Sequence, residues 1–312
     1  MTSAFPDRLA ALVEERRSQV VLGLDPDPAN LLPGAVEEAS RDLVSDGRQA
    51  AELAARAVAI HCRELIAAAA PACVAVKPQL ACFERLGAPG WRALAEACAA
   101  AREAGLLVLA DGKRGDVPHT ATAYAQALVG ATPTPWGEVE GLGADAVTLN
   151  PLLGRDAIDP FVAAARARGA GCFVLVRTSN PGAAELQDRS DGASCPPLHE
   201  RLAGLVDELG KTGVGACGLS DVGAVVAATA PPLLARLREL MPRAVFLLPG
   251  IGAQGGTVEA VGAAFGPGPA AALVTASRSI VEPALEAGSA EAALEAAEEL
   301  RRAAWALSGG SQ

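Results

Sequence analysis

Short apolar runs alternate with longer helix-like segments along the whole chain. The runs contain mostly Val, Leu and Ala, as buried strands do, whereas the Ala, Leu, Glu and Arg of the intervening segments favour helix. Eight such repeats are typical of a (β/α)8 TIM barrel, although a doubly wound open sheet has the same alternation. The predicted strands are residues 20–25, 73–77, 106–111, 146–150, 172–177, 215–219, 244–248 and 272–275, and the predicted helices include 48–70, 91–104, 120–129, 160–168, 198–211, 222–240 and 289–306.

Polar side chains stand at the carboxyl ends of five predicted strands, at Asp25, Lys77, Asp111, Asn150 and Arg177. In a barrel those ends meet at one mouth, where barrel enzymes carry their active sites, whereas an open sheet would spread them along an edge. The placement therefore favours an α/β protein with a single (β/α)8 barrel domain covering residues 1–312.

Three segments depart from the regular alternation. Residues 130–143 are rich in Gly and Pro and predict a surface loop inserted before the fourth strand. Residues 180–197 are polar and predict a second insertion that acts as a lid or a mobile loop. Residues 308–312 predict a disordered tail.

Charge and cysteine usage restrict the class of partner. The formal net charge of −10 argues against a general nucleic-acid or anionic-membrane surface, but a locally positive pocket could still take a small anion. Seven scattered cysteines without a Cys-x-x-Cys pair indicate reduced, buried thiols rather than a metal site. The uncharged stretch 260–277 is interrupted by Gly and Pro, and the first residues lack the apolar core of a signal peptide. We expect a cytoplasmic protein that binds neither membrane nor nucleic acid.

The sequence Asp111-Gly112-Lys113-Arg114-Gly115-Asp116 follows the third predicted strand. Side chains alternate along a strand, so Asp111 and Lys113 should point the same way, and Gly115 gives the chain freedom to turn before Asp116. For an isolated Asp-x-Lys the simpler interpretation is a structural ion pair. The position of residues 111–116 at a barrel mouth instead favours a reactive cluster of two carboxylates and an ammonium group.

Glycines after the seventh strand predict an anion site. Gly250, Gly252 and Gly255 match Gly-x-Gly-x-x-Gly, but the match comes late in the chain and the next strand ends without the acidic residue of a dinucleotide site. Such glycines still let backbone N–H groups approach an anion, and Arg278 follows the eighth strand. Barrels often bind phosphate in the loops after strands seven and eight, so we favour a phosphate site over a glycine-rich turn with a solvated arginine.

Together these motifs resemble the orotidine 5′-phosphate decarboxylase family, in the form found in its longer bacterial branch, type 2. The resemblance implies decarboxylation of orotidine 5′-phosphate to UMP in de novo pyrimidine biosynthesis, with no cofactor and no metal. The resemblance extends from the first predicted strand to the last. The matching pieces are Asp111-x-Lys113-x-x-Asp116-Val117-x-x-Thr120, Gly250-x-Gly252-Ala253-Gln254-Gly255 and Ser277-Arg278-Ser279-Ile280, with support from Leu22-Gly23-Leu24-Asp25, Val76-Lys77-Pro78 and Thr178-Ser179-Asn180-Pro181.

The resemblance also implies roles for individual residues. Lys113 would donate the proton to C6, and Asp111 would orient it. Asp116 would reach the active site of a partner subunit together with Thr120, which makes a homodimer. The implied substrate contacts are Asp25 and Lys77 on the ribose, Ser179 (or Thr178 or Asn180) on the pyrimidine, and Gln254, Arg278 and the backbone around Gly252 on the phosphate.

Other functions remain open at this point. Magnesium-dependent sugar-phosphate enzymes share the Asp-x-Lys-x-x-Asp motif, but Lys77 stands at the second strand where a metal would need a carboxylate. A Schiff-base aldolase would use Lys77 or Lys113, yet a lysine between carboxylates stays protonated and is a poor nucleophile. A non-catalytic phosphate-binding barrel would not need the three charged residues of the motif.

Overall fold

A computed structural model describes residues 4–41, 49–190, 195–252 and 255–309. Eight parallel strands close into a barrel in which each is hydrogen-bonded to two neighbours, in the order β1-β10-β9-β8-β7-β6-β3-β2. The predicted (β/α)8 barrel is confirmed. The barrel strands are β1 (Val20–Leu24), β2 (Ala75–Pro78), β3 (Leu107–Arg114), β6 (Ala146–Leu149), β7 (Gly171–Arg177), β8 (Val222–Val226), β9 (Phe246–Leu248) and β10 (Ala272–Ala276), and the separate pair is β4 (Ala131–Thr134) and β5 (Gly137–Glu140).

Helices connect successive barrel strands around the outside. After β9 the connection consists of 3-10 turns, Glu259–Phe265 and Pro269–Ala271, and two further short turns are Ala70–Ala72 and Arg155–Ala157. The α-helices are α1 (Phe5–Arg16), α2 (Pro33–Ser40), α3 (Gln49–Ala69), α4 (Leu80–Glu84), α5 (Ala88–Glu103), α6 (Pro118–Leu128), α7 (Asp159–Ala167), α8 (Ala183–Gln187), α9 (Leu198–Gly210), α10 (Pro231–Leu240), α11 (Arg278–Ala287) and α12 (Glu291–Leu307).

Two apolar cores hold the barrel together. The larger lies between the outer faces of the strands and the helices. The smaller fills the barrel interior, where Phe5, Leu9 and Val13 of α1 pack against inward-facing strand residues. Phe5 meets Phe173 of β7 edge to face, with ring centroids 5.9 Å apart. Helix α1 therefore closes the amino-terminal end of the barrel and leaves the opposite end for a site.

The sixth barrel strand is where the sequence prediction was wrong. The strand is β8, whereas residues 215–219 form a turn in which the Gly215 N–H donates to the Leu219 carbonyl at 2.8 Å. Asp221, just before the strand, is buried in an ion pair with Arg166 at 2.7 Å. The Ala-rich run after Asp221 has the composition of a helix as much as of a strand, which is why the sequence predicts a helix over 222–240. The observed helix begins only at Pro231.

The irregular segments contain more regular structure than the sequence predicts. Residues 130–143 contain the antiparallel pair β4–β5, with Trp136 at its tip 92% exposed. The polar segment 180–197 contains α8, and its residues 191–194 lie outside the described residues. Ser308, expected in a disordered tail, is buried and its hydroxyl accepts a hydrogen bond from Gln19 at 2.8 Å. Residues 310–312 of that tail lie outside the described part of the chain.

No helix in the described ranges is both long enough and apolar enough to cross a membrane.

A buried arginine joins the segments between α10 and β10. The Arg238 guanidinium lies over the ring of Phe246 at 3.7 Å and donates four hydrogen bonds to backbone carbonyls. The acceptors are Met241, Ala244, Ala264 and Ala271, at 2.7 to 3.0 Å. A single side chain therefore supplies donors to backbone carbonyl groups on both sides of β9, two between α10 and β9 and two in the 3-10 turns before β10.

Arg238→Met should lower the free energy of unfolding by at least about 3 kcal/mol, because it leaves four carbonyl groups without a charged donor. Urea denaturation measures the change. The matched control is Arg236→Met on the same helix, where an exposed arginine pairs with Glu200, and there we expect stability close to that of the wild type. Equal effects of the two substitutions would contradict the assigned role of Arg238.

Candidate active site

The carboxyl ends of the barrel strands surround a cavity of about 670 Å³. This volume is typical of a small-molecule site. Charged side chains lie at its strand ends, and the interior residues Leu175, Val225 and Leu247 give it an apolar floor. Six residues that the sequence singled out line it: Asp25, Lys77, Asp111, Lys113, Ser179 and Arg278.

The Asp111 carboxylate is the centre of this cavity's polar wall and is only 5% exposed. Its Oδ2 accepts hydrogen bonds from Lys77 Nζ at 2.7 Å and from Gln79 Nε2 at 3.3 Å. Its Oδ1 accepts from Lys113 Nζ at 2.7 Å and from the Thr148 hydroxyl at 2.8 Å. Both oxygens are thus occupied by donors from three adjacent strands, and the predicted proximity of Asp111 and Lys113 is confirmed.

The charges in this cluster support one another. Burial by itself would raise the pKa of Asp111, but the positive charges of Lys77 and Lys113 outweigh it and hold the pKa well below its usual range. Burial likewise acts to lower the pKa of Lys77, and the negative charges of Asp111 and Asp25 outweigh it and raise that pKa. At neutral pH the Asp111–Lys77 pair is therefore ionised.

Strand β3 continues past Asp111, further than predicted, and does so irregularly. Ala110 pairs with Val147 and Arg114 with Leu149, so the four steps from 110 to 114 match only two steps of β6, from 147 to 149. Lys113, inside this bulge, has φ of 46°, in the left-handed region that residues with a Cβ avoid. The backbone N–H of Lys113 donates to the Thr148 hydroxyl at 2.9 Å. The bulge directs the Lys113 ammonium group back towards Asp111.

Gly115 makes the turn after the bulge possible. A Cβ at this position would lie 2.4 Å from the backbone oxygen of Asn150, so a side chain would force the two strand ends apart. Beyond the turn, Asp116 and Thr120 are half-buried and do not line the cavity of their own chain. The Asp116 carboxylate accepts a hydrogen bond from the Val117 backbone at 2.7 Å. Its action in a partner's site stays a prediction.

Two predicted strand-end residues do not reach the cavity. Leu175 pairs with Val225 and Arg177 with Val226, so β7 carries one extra residue, and this bulge turns Arg177 away from the barrel axis. The Arg177 guanidinium instead binds both oxygens of Asp188, at 2.8 and 3.0 Å. Asn150 accepts a hydrogen bond from the Leu152 backbone. The expectation that both would join the mouth was wrong.

The opposite wall of the cavity has the features of an anion site. Gly250 and Ile251 follow β9, and Ser277, Arg278 and Ser279 lie at the start of α11, whose first N–H groups are free of intrahelical partners. Gly252 has φ of 77° and closes a tight turn in which its N–H donates to the Gly256 carbonyl at 2.9 Å. Gly252 borders this wall without lining the cavity, and Gln254 lies outside the described residues.

Sequence reasoning missed several polar residues of the cavity, among them Gln79, Thr148, Gln187 and Thr275. Gln79 and Thr148 stand two positions from Lys77 and Asn150, so the alternation of a strand would have placed them on the same faces. Gln187 comes from α8 and exchanges hydrogen bonds with Thr178, a pairing without a sequence signal.

No three His, Cys, Asp or Glu side chains in the described residues stand close enough together to hold a metal ion. The groups nearest to Asp111 are two ammonium groups, an amide and a hydroxyl, so its oxygens already face positive charge. This wall is suited to an anion or to a centre that becomes electron-rich during a reaction.

Comparison with known proteins gives one consistent family. Residues 18–297 match the model of the orotidine 5′-phosphate decarboxylase / HUMPS family. The orotidine 5′-phosphate decarboxylase of Rhodopirellula baltica is 43% identical over 281 residues, 89% of this chain and 88% of that protein. The enzyme of the same name from Deinococcus radiodurans is 40% identical over 306 residues, 97% of this chain and 99% of that protein.

Solved structures with related names have a similar fold. A putative orotidine-monophosphate decarboxylase from Toxoplasma gondii superposes with a TM-score of 0.73 at 30% identity, covering 97% of this chain and 98% of that one. A putative orotidine 5′-phosphate decarboxylase from Streptomyces avermitilis gives a TM-score of 0.73 at 30% identity, covering 97% and 96%.

Asp111→Asn should destabilise the protein by roughly 3–5 kcal/mol at neutral pH, because it leaves the buried Lys77 charge uncompensated. The pKa of Asp111 is lowered by folding, so its contribution is full above the unfolded pKa of about 3.9 and is lost as pH falls through the lower folded pKa. The difference in unfolding free energy between wild type and variant should therefore shrink below about pH 4.

Denaturant titrations between neutral and acid pH measure that difference. The control is Asp156→Asn, an exposed carboxylate, whose curve should stay close to that of the wild type. A destabilisation by Asp111→Asn that stays constant with pH would show that the loss does not come from the charge of Asp111.

Proposed function

The chain belongs to the orotidine 5′-phosphate decarboxylase / HUMPS family, and we propose that it converts orotidine 5′-phosphate to UMP with Lys113 as the proton donor. Relatives 40 and 43% identical over most of the chain are named orotidine 5′-phosphate decarboxylase. The chain is accordingly a carboxy-lyase of pyrimidine biosynthesis. The observation that carries the lysine mechanism is the ionised Asp111 carboxylate, held between the ammonium groups of Lys77 and Lys113 at 2.7 Å from each.

The chemistry requires a positive charge and a proton at the same point. When the bond between C6 and the carboxylate breaks, the electron pair stays on C6 and carbon dioxide leaves. An ammonium group beside C6 stabilises that pair and then transfers a proton to it, after which the neutral amine takes a proton from water. The Lys113 side chain is 42% exposed and lines the cavity, which suits it to this role.

Asp111 and Asp116 complete the proposed catalytic group. Asp111 fixes the Lys113 ammonium group and places its own negative charge near the substrate carboxylate. The negative charge of the substrate carboxylate passes to C6 as carbon dioxide leaves. Asp25 and Lys77, adjacent on the cavity wall, bind the ribose hydroxyls. Lys77 is bonded to Asp111, so the ribose contact and the catalytic cluster share one network.

The phosphate is proposed to bind at the opposite wall. Arg278 supplies a guanidinium group that can donate two hydrogen bonds to phosphate oxygens, next to the amino terminus of α11. Gln254 and the backbone around Gly252 complete this end. Ser179, with Thr178 and Asn180 beside it on the wall, contacts the pyrimidine. Phosphate binding far from C6 provides energy that holds the reacting ring in place.

The active unit is proposed to be a homodimer in which Asp116 and Thr120 enter the partner's site. Both residues lie on the outside of their own cavity. Large apolar side chains are exposed near them and at the end of β6: Val117 is 56%, Leu152 70% and Leu153 49% exposed. A second copy covering this surface would remove that apolar area from water and bring Asp116 to the neighbouring mouth.

Other activities fit the site less well. A magnesium ion would need the oxygens of Asp111, and Lys77 and Lys113 already occupy them with positive charge. A Schiff base at Lys77 would need a neutral amine, whereas Asp111 and Asp25 outweigh burial and raise the pKa of Lys77. We further propose a cytoplasmic location, where the seven free cysteines would stay reduced.

Lys113→Ala should lower kcat for orotidine 5′-phosphate by at least about 10³-fold, because it removes both the charge beside C6 and the proton. UMP affinity should stay close to that of the wild type, since the phosphate and ribose contacts remain. The assay follows pyrimidine absorbance in buffer containing a chelator, with Lys211→Ala as the exposed-lysine control. Full activity of Lys113→Ala, or turnover by the wild type only with added magnesium, would contradict the proposal. Binding of UMP by the wild type without any turnover would favour a non-catalytic barrel.

Mixing Lys113→Ala with Asp116→Asn chains tests the shared site. Each chain alone should be inactive, but in a mixed dimer the Asp116→Asn chain keeps its own Lys113 and receives Asp116 from the partner subunit. Random exchange of equal amounts of the two chains should make roughly a quarter of all active sites complete, because half of the dimers are mixed and each has one complete site. Kinetics after co-refolding measure the recovery. If Asp116 acts within its own chain, mixing restores nothing.

A further inference from the structure

We propose that Thr148 is the positioning residue that holds Lys113 in its reactive place. The inference rests on the proposed role of Lys113 and extends it to a residue in another strand. Thr148 lies on β6 and is 1% exposed, and it lines the same cavity as the charged cluster. It carries no charge, and its proposed effect on the reaction passes through Lys113.

The hydroxyl of Thr148 contacts the Lys113 motif twice. It donates to Asp111 Oδ1 at 2.8 Å and accepts from the backbone N–H of Lys113 at 2.9 Å. A hydroxyl has one proton, so donation to the carboxylate turns a lone pair towards the N–H group. The same Asp111 Oδ1 accepts from Lys113 Nζ at 2.7 Å. One hydroxyl thereby fixes the backbone of Lys113 directly and its ammonium group through the shared carboxylate oxygen.

The bulge in β3 explains why a side chain is needed there. Because β3 carries two more residues than β6 between the pairs Ala110–Val147 and Arg114–Leu149, regular ladder pairing is interrupted around Lys113. Lys113 also has φ of 46°, a conformation that persists only where the surroundings impose it. Thr148 stands opposite the bulge and supplies the missing acceptor.

The consequence for catalysis is specific. Without the hydroxyl, the Lys113 N–H loses its hydrogen-bond acceptor among the described residues. The backbone can then relax towards φ below zero and carry the ammonium group away from C6. A misplacement of about 1 Å costs on the order of 10²-fold in rate. The proposed phosphate contacts lie on the opposite wall, and Asp111 Oδ2 keeps its hydrogen bonds from Lys77 and Gln79. The loss should therefore appear in kcat and leave KM near the wild-type value.

Thr148→Val tests this, since valine keeps the shape and removes the hydroxyl. We expect kcat for orotidine 5′-phosphate to fall by on the order of 10²-fold, with KM within a few-fold of wild type. Thr148→Ser, which restores the hydroxyl, should recover most of kcat. The matched control is Thr275→Val, which removes from the same cavity a buried hydroxyl that has no hydrogen-bond partner among the described residues. Its kcat should exceed that of Thr148→Val by at least about tenfold.

Rates are expressed per UMP-binding site, so that a misfolded fraction does not count, and Thr148→Ala replaces Thr148→Val if valine prevents folding. In a Lys113→Ala background, Thr148→Val should cause no further loss, because its effect passes through Lys113. Equal kcat for Thr148→Val and Thr275→Val, failure of serine to restore kcat, or a further loss in the Lys113→Ala background would overturn the inference. An inactive wild type, or an active Lys113→Ala, would instead overturn the proposed function.

Discussion

The carboxylate of Asp111, buried between two ammonium groups, sets the geometry of this site. A buried carboxylate is costly to desolvate, and four donors from three strands offset that cost. Each donor is fixed in return: Lys77 and Gln79 at the end of β2, Lys113 in the bulge of β3, and Thr148 on β6. The stability of the barrel mouth and the placement of Lys113, the proposed proton donor, therefore depend on the same carboxylate.

The barrel makes this cluster possible because β2, β3 and β6 are neighbours in the closed sheet. Parallel strands present their carboxyl ends at one rim, so residues far apart in sequence meet across only two strand spacings. The amino-terminal end is closed by α1, and the apolar floor of Leu175, Val225 and Leu247 separates that packing from the charged wall. Across the cavity, the glycine turn after β9 and the amino terminus of α11 form the proposed anion site. The two walls suit a molecule with phosphate at one end and its reacting carbon at the other.

Much of this architecture could be predicted from sequence, because strand periodicity and strand-end polarity are local signals. Seven predicted strands overlap observed ones, and alternation correctly placed Asp111 beside Lys113. Bulges carry no such signal. The bulge in β7 turned Arg177 away from the cavity, and the bulge in β3 created a need for Thr148 that no motif reveals. The sixth strand was misplaced because an alanine-rich run has no period that separates strand from helix.

A crystal structure with bound UMP would show whether the reacting carbon lies at the polar wall formed by Asp111, Lys77 and Lys113. We expect C6 within about 3–3.5 Å of Lys113 Nζ, the phosphate at Arg278 and the partner subunit's Asp116 beside Lys113. UMP bound with its phosphate among Lys77 and Lys113, or with C6 directed away from Lys113, would contradict this expectation.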